Sequence, residues 1–430
     1  MKSIRTSYGQ EKASHKWPKL KLAINGKFLG SSSGRSGVYR VAYEIVQALD
    51  RLISESQEIS ALVSCSIFVP ANAECNIELK SIELHRPGKV AGFVGDIAGD
   101  TVWEQFLLPY LAKGHTLLNL CNVGPVLFRN AYTIIHDAQV RAFPASYSHA
   151  FRTWYSFLQP KLAKYNIGII TVSDYSRKEL SRYKVALEAD VHVIHNGCDH
   201  ILKVVPDSDV WKRFELTKKQ YVVALANCQA HKNIGILFKA FAEKSLGDVT
   251  LVLFGSAERS DFERLGHVVP SNVKFVGRIS DQELCGLLSD AIALAFPSLT
   301  EGFGLPPLEA MLLGCPVVAA PCGALMEVCG DGALWAAPDD ALAWRDQIVR
   351  LYKEPDYADS AVCAGRTQAG LFTWDIAARH LLTLICKNLP ADRSVAAILN
   401  LDEIYKDLAT AARSRTMYQI TEKIGRRENL

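Results

Sequence analysis

The chain has 430 residues, a formal charge of +3, and 49% hydrophobic, 22% charged and 9% aromatic residues. This is ordinary globular composition, which excludes a disordered or collagen-like chain, and the small charge gives no argument for nucleic acid. The length exceeds the roughly 250–300 residues that one core can serve, so two domains are expected.

The first 27 residues hold seven Lys/Arg and one acid, Glu11. This arm reads either as a solvated tail or as a foothold on anionic lipid, where each positive charge contributes on the order of 1 kcal/mol. It has no apolar stretch of the secretory kind. No apolar run in the chain approaches the roughly 18 residues that cross a bilayer. Eleven cysteines without a CxxC pair read as reduced thiols of a cytoplasmic protein.

A short apolar strand at 21–24 leads into a loop containing Gly30, Gly34, Arg35 and Gly37. A helix follows, with Val38, Val41, Ala42, Ile45, Val46 and Leu49 at helical spacing. The loop is either an anion-binding helix start or a turn that only glycine can make. Further strands are expected at 61–70, 116–120, 132–135, 167–172 and 191–194. The aromatic stretch at 147–165 admits two readings. In one, Phe151, Trp154, Phe157 and Leu158 are core residues at spacings of three and four; in the other, the stretch leans on a membrane surface. Ser173 or Asp174 is placed to cap a helix.

A polar segment at 206–219 marks the joint between domains. Its Asp207-Ser208-Asp209 spells a metal-binding DxD, but it lies outside any suitable α/β context and reads as coincidence. The alternation then restarts, with strands at 221–225, 250–254, 273–276, 292–296 and 316–320 and helices at 233–243, 281–288 and 309–313. Continuous Val/Ile/Leu/Ala runs of this length suit parallel strands covered on both faces. The expected fold is therefore α/β: two Rossmann-like doubly wound domains whose ligand site lies at the carboxyl ends of the strands. The expected boundaries are an arm over 1–18, a first domain over 19–205, a joint over 206–219, a second domain over 220–375 and helices over 376–430. The first of these helices is expected to return to the first domain.

The run from Ala291 to Ala320 carries the most chemistry. A buried strand ends in Pro297-Ser298, and a loop presents Glu301, Gly302, Phe303, Gly304 and Leu305 before a helix opened by Pro306-Pro307 and carrying Glu309. Amides between a strand and a helix start can receive a phosphate. Two carboxylates beside such a cradle need a different partner, and hydroxyl groups are donors that carboxylates accept well.

Glu301 and Glu309 make an E-x7-E motif. EGFGLPPLEAMLLGCPVVAA, FVGRISDQELCGLLSDA, HKNIGILFKAF, IIHDAQ, VSDYSRKEL and VIHNGCD occur in the order found in retaining glycosyltransferases of the GT-B fold. The chain resembles family 4 (group 1) of these enzymes over roughly residues 20–385, and looks most like bacterial mannosyltransferases of polysaccharide assembly. The resemblance implies transfer of a hexose from a nucleotide diphosphate sugar to an acceptor hydroxyl, with no metal and no cofactor beyond that co-substrate.

By the same resemblance, Glu301, His136 and Lys232 are catalytic. Glu309 holds the ribose hydroxyls, and the amides of Gly302, Phe303, Gly304 and Leu305 face the sugar or phosphates. Asn227 stands near the position of a second basic residue, and Arg278 and Ile279 stand at the base-binding loop. Gly34, Arg35 and Gly37 form the glycine loop, with Gly37 near the diphosphate or acceptor. His231 replaces the Arg common before the lysine, so Arg35 or Arg278 is expected to help with the phosphates. The implied donor is GDP-mannose, with UDP-glucose or another donor as the alternative. The implied acceptor is a carbohydrate or lipid-linked oligosaccharide, with the protein resting on the inner face of the membrane. Two other classes stay open: a nucleotide-sugar epimerase of similar fold, and a non-enzymatic nucleotide-sugar binder.

Overall fold

The structure, a computed structural model, describes residues 19–30, 37–71, 73, 77–87 and 101–387. The basic arm, Gly34, Arg35 and the tail from 388 lie outside the described residues.

Two parallel sheets organise the chain. The first contains β1 (Leu20–Asn25), β2 (Val63–Phe68), β3 (Glu83–His85), β4 (Thr116–Asn119), β5 (Ala131–Ile134), β6 (Gly168–Thr171) and β7 (Val191–Val193), in the order β3-β2-β1-β4-β5-β6-β7. The second contains β8 (Tyr221–Ala226), β9 (Thr250–Gly255), β10 (Val273–Gly277), β11 (Ala293–Phe296), β12 (Val317–Ala319) and β13 (Ala333–Trp335), in the order β10-β9-β8-β11-β12-β13. In each sheet the order reverses beside the first strand, at β1/β4 and at β8/β11. Such switch points are where open α/β sheets bind ligands. Central strands such as β5 and β11 are buried at every position, and β11 accordingly reads as an unbroken apolar run.

The sequence expectations locate most strands to within two residues but miss β3 and β13. Both are three-residue edge strands, too short for any periodicity to mark them. Residues 61–62 belong to a preceding helix rather than to β2.

The first helix, α1 (Gly37–Glu55), packs the predicted apolar stripe inward and buries Asp50 as well. The Asp50 carboxylate accepts from the amides of Lys80, Ser81 and Ile82. The aromatic stretch forms α2 (His149–Tyr165), capped by Ser148, whose side chain accepts from Phe151 N. Its core reading fails for two of the four residues. Leu158 is fully buried and Trp154 is half-buried, while Phe151 and Phe157 are 38% and 53% exposed. Phe151 instead stacks between Tyr147 and Tyr155, and Lys161 covers the Phe157 ring at 4.5 Å. As its cap position predicts, Ser173 opens α3 (Asp174–Arg182) by accepting from Ser176 N.

Residues 206–219 carry the short helix Val210–Arg213, whose Val210 is buried. Asp207 and Asp209 pair with Arg213 and Lys212. At the other end, α7 (Trp374–Cys386) buries Trp374, Ile376, Ala377, Leu381 and Leu382 and joins α1 in one core cluster. Among the described residues, no helix is long and apolar enough to cross a membrane.

Candidate active site

The carboxyl end of β8 continues into a tight turn over Ala230–Lys232, closed by Asn233 in the left-handed conformation at φ 54°. The turn aims Lys232 toward the end of the neighbouring β11, where its Nζ lies 2.6 Å from Glu301 Oε1. The two side chains are 16% and 12% exposed, so the pair is only weakly screened. Behind Glu301 the backbone of Gly323–Ala324 closes in, with Ala324 N donating to Glu301 O at 3.0 Å. A Cβ at Gly323 would lie 2.6 Å from Glu301 N, and its φ of 61° also favours glycine.

The loop then enters α5 (Leu305–Leu312) through Gly304 at φ 107°. Pro306 and Pro307 have no N–H, so only Leu305 and Leu308 keep amides in the first turn. This helix start therefore offers fewer free amide donors than an ordinary one. Phe303 is buried against the rings of His195 and Phe372. Glu309 is 8% exposed, and its Oε1 lies 3.1 Å from His200 Nε2.

The first sheet meets this loop directly. A Cβ on Gly302 would stand 2.9 Å from Asp137 Cβ and 3.0 Å from His136 O, so only glycine fits where the two halves touch. The His136 ring has its Nε2 2.8 Å from Leu120 O, and burial pulls its pKa down to about 4. The ring is therefore neutral near pH 7, with Nε2–H spent on the backbone and Nδ1 left as an acceptor. Asp137 was missed by sequence reasoning, although it directly follows His136. Burial raises its pKa and nearby Glu301 adds to the rise, against the Gln139 amide and Lys232. The Tyr147 hydroxyl on the same side is pushed up to about 12 by burial and then by Asp137 and Glu301.

Further contacts tie the halves together. The hydroxyls of Ser173 and Ser176 both donate to Gly302 O, at 2.6 and 3.0 Å. Tyr175 OH and Thr300 Oγ1 lie 3.0 Å apart. Glu327, on the short helix α6 (Leu325–Cys329), accepts from the amides of Asp174 and Tyr175 at the start of α3. It also lies 2.8 Å from His195 Nε2. Burial pushes its carboxyl up, but His195 and the two amides outweigh that and hold it below the ordinary range. On the opposite flank, Arg40 of α1 grips both oxygens of Asp281, at 2.9 and 2.8 Å, where α4 (Asp281–Asp290) begins.

Of the residues singled out by sequence, the fold brings together Lys232, Glu301 and Gly302 with the backbone of His136. Glu309 joins them on the helix that leaves the same loop. Asn227 is half-buried, and its Oδ1 accepts from Gln229 N two residues on. Arg278 is exposed at the end of the edge strand β10, and Ile279 is half-buried. Gly37 is the first residue of α1, and a Cβ there would meet nothing within 4 Å. His231 is 1% exposed, with the Phe143 ring 5.0 Å away. Among the described residues, no three His, Cys, Asp or Glu side chains are grouped to hold a metal ion.

Two Rossmann-like parallel-sheet domains meeting at their strand ends are the GT-B architecture. The fold is similar to that of sucrose-phosphate synthase from Thermosynechococcus elongatus, with a TM-score of 0.64 at 19% identity over 87% of this chain and 100% of that one. Residues 207–368 match the family described as "Glycosyl transferases group 1", and the chain carries a domain of that family. It is 30% identical over 54% of its length to the O-antigen chain mannosyltransferase RfbU of Salmonella typhimurium, but spans only 63% of that relative. It is also 29% identical, over 71% of its length and 74% of the relative's, to the MMP alpha-(1->4)-mannosyltransferase of Mycolicibacterium hassiacum.

Proposed function

We propose that this chain is a glycosyltransferase that moves a hexose, mannose from GDP-mannose, to an acceptor hydroxyl with the anomeric configuration retained. The observation that carries the reading is the Lys232–Glu301 pair at 2.6 Å, beside the Gly302–Leu305 loop and ahead of Glu309. The leaving diphosphate gains negative charge while the sugar becomes oxocarbenium-like. Lys232 and the loop amides then stabilise the phosphate, each charge-assisted hydrogen bond contributing about 1.5–3 kcal/mol. As Lys232 turns to the phosphate, Glu301 is released to accept from the sugar hydroxyls. Glu309 takes the ribose hydroxyls. His136 offers Nδ1 to a sugar hydroxyl, and the leaving phosphate takes the acceptor proton on the same face.

The choice of mannose is supported by the names of the relatives, two of which are mannosyltransferases. The acceptor in this reading is a polyprenyl-linked oligosaccharide presented at the inner membrane face. There the basic arm and the exposed Phe151 and Phe157 meet anionic lipid.

A panel of nucleotide sugars scored by thermal stabilisation tests the donor. A saturating donor at 100 times its dissociation constant adds about 2.7 kcal/mol, and GDP-mannose is expected to stand out. Stabilisation by UDP-glucose instead would replace the donor. Product analysis separates transfer from epimerisation and from plain binding. Activity is expected to persist in excess EDTA; abolition by chelator with restoration by Mn²⁺ would overturn the metal-free route.

A further inference from the structure

Residues 197–200 follow the last strand of the first sheet and are locked to the segment that enters α7. A Cβ at Gly197 would lie 2.2 Å from Trp374 N. Cys198 N donates to Phe372 O at 3.0 Å, and Trp374 N donates to Asp199 Oδ1 at 2.7 Å. These contacts fix the next side chain, His200, which is 3% exposed. Its Nδ1 accepts from Trp374 Nε1 at 3.0 Å. A ring nitrogen that accepts a hydrogen bond carries no proton, so the proton sits on Nε2. Nε2 is buried without a hydrogen bond of good geometry, yet Glu309 Oε1 stands 3.1 Å from it. The distance is within reach and the alignment is not. A buried donor aimed at one carboxylate oxygen and left unfinished is an arrangement that a ligand can complete, because such bonds often tighten only in the complex.

We propose that His200 is a positioning residue for Glu309: the Trp374 indole N–H sets the imidazole tautomer, and the Nε2–H then holds one carboxylate oxygen so that the other faces the ribose hydroxyls of a nucleoside diphosphate. The inference rests on the reading of Glu309 given above. It makes the segment entering α7 part of nucleotide recognition, through one side chain that both halves of the molecule touch. The ribose hydroxyls pull the carboxylate into line, and the second oxygen is braced by the imidazole instead of turning away.

The test measures binding of GDP and of 2′,3′-dideoxy-GDP to the full chain by calorimetry, with the uridine pair used in addition. His200→Phe keeps a ring and removes the N–H; it is expected to weaken GDP binding about tenfold and to leave the dideoxy nucleotide unchanged. His200→Gln, whose amide nitrogen reaches close to the position of Nε2, is expected to stay within about threefold of wild type. Trp374→Phe releases the tautomer and should show a smaller, equally ribose-dependent loss, which keeps the test decisive if His200→Phe does not fold. Equal losses on both nucleotides, or no loss on either, overturn the role of His200. Unchanged ribose discrimination in Glu309→Ala overturns the reading of Glu309 itself, and the two failures are thereby told apart.

Discussion

At the mouth of the second sheet, Lys232 and Glu301 pair at 2.6 Å with 16% and 12% of their side chains open to solvent. At the mouth of the first, Glu104 is fully buried and accepts from Asn25 at 2.9 Å and from Lys27 at 3.0 Å. Asn25 also donates to Asn119 Oδ1, Asn119 to Thr133 Oγ1, and the Thr133 hydroxyl to Asn166 Oδ1. Both regions are polar, and both sit at the carboxyl ends of central strands. The difference is satisfaction. The buried members of the Asn25–Glu104–Asn119 network already hold one another, so a ligand could recruit them only by breaking those bonds. In the proposed function, the Lys232–Glu301 pair exchanges partners as a phosphate and a sugar arrive. That proposal makes one mouth scaffold and the other machinery, and the two can be separated by substitution.

Glu104→Ala should be the most damaging change. It leaves the buried Asn25 and the half-buried Lys27 without their carboxylate and should cost about 3 kcal/mol in urea denaturation. A loss under about 1 kcal/mol would mean the network is not the scaffold it looks like.

Next in size is acid. His136 has an ordinary pKa of 6.5 and is held at about 4 by burial, so between these values the unfolded chain takes up the proton first. The stability His136 contributes is intact above about 6.5 and is lost as pH falls toward about 4. Lowering the pH from 7 to 5 should remove about 2 kcal/mol more from wild type than from His136→Gln. Identical pH dependence in the two proteins would show that the buried neutral ring is not what resists acid.

Lys232→Ala and Glu301→Ala should each lower turnover at least about tenfold, or about 1.4 kcal/mol of barrier, with little change in melting temperature. Full activity in either would remove that residue from the mechanism, and unfolding in either would erase the contrast between the two mouths. The smallest effect belongs to Asp209→Asn. Loss of this exposed partner of Lys212 should leave both the melting temperature and turnover unchanged; a large loss of turnover would revive the DxD as a working motif.

Much of this was legible in the residues. The apolar runs marked the central strands because a strand buried on both faces needs no alternation. Lys232, Glu301, Gly302 and Glu309 were legible because each sits where a strand yields to a helix in a recognisable motif. Edge strands β3 and β13 were not, since three residues carry no period. Phe151 and Phe157 read as core because helical spacing reports which residues share a face and not whether anything covers it. Ser176, Asp137, Arg40, Glu327 and His200 were invisible as site residues. Ser173 and Gly302 are 129 residues apart, and no local pattern announces such a partner.

The sequence by itself therefore determined the α/β alternation, the two parallel sheets and the run of residue types in the loop at 301–309, because those depend on apolar runs and neighbouring residues. Only the tertiary structure decided which acid meets which base across the molecule. It alone pairs Lys232 with Glu301, seats Gly302 against Asp137, and brings Trp374, His200 and Glu309 side by side. Such pairings follow from how the two sheets meet, and their energies depend on burial that no stretch of sequence contains.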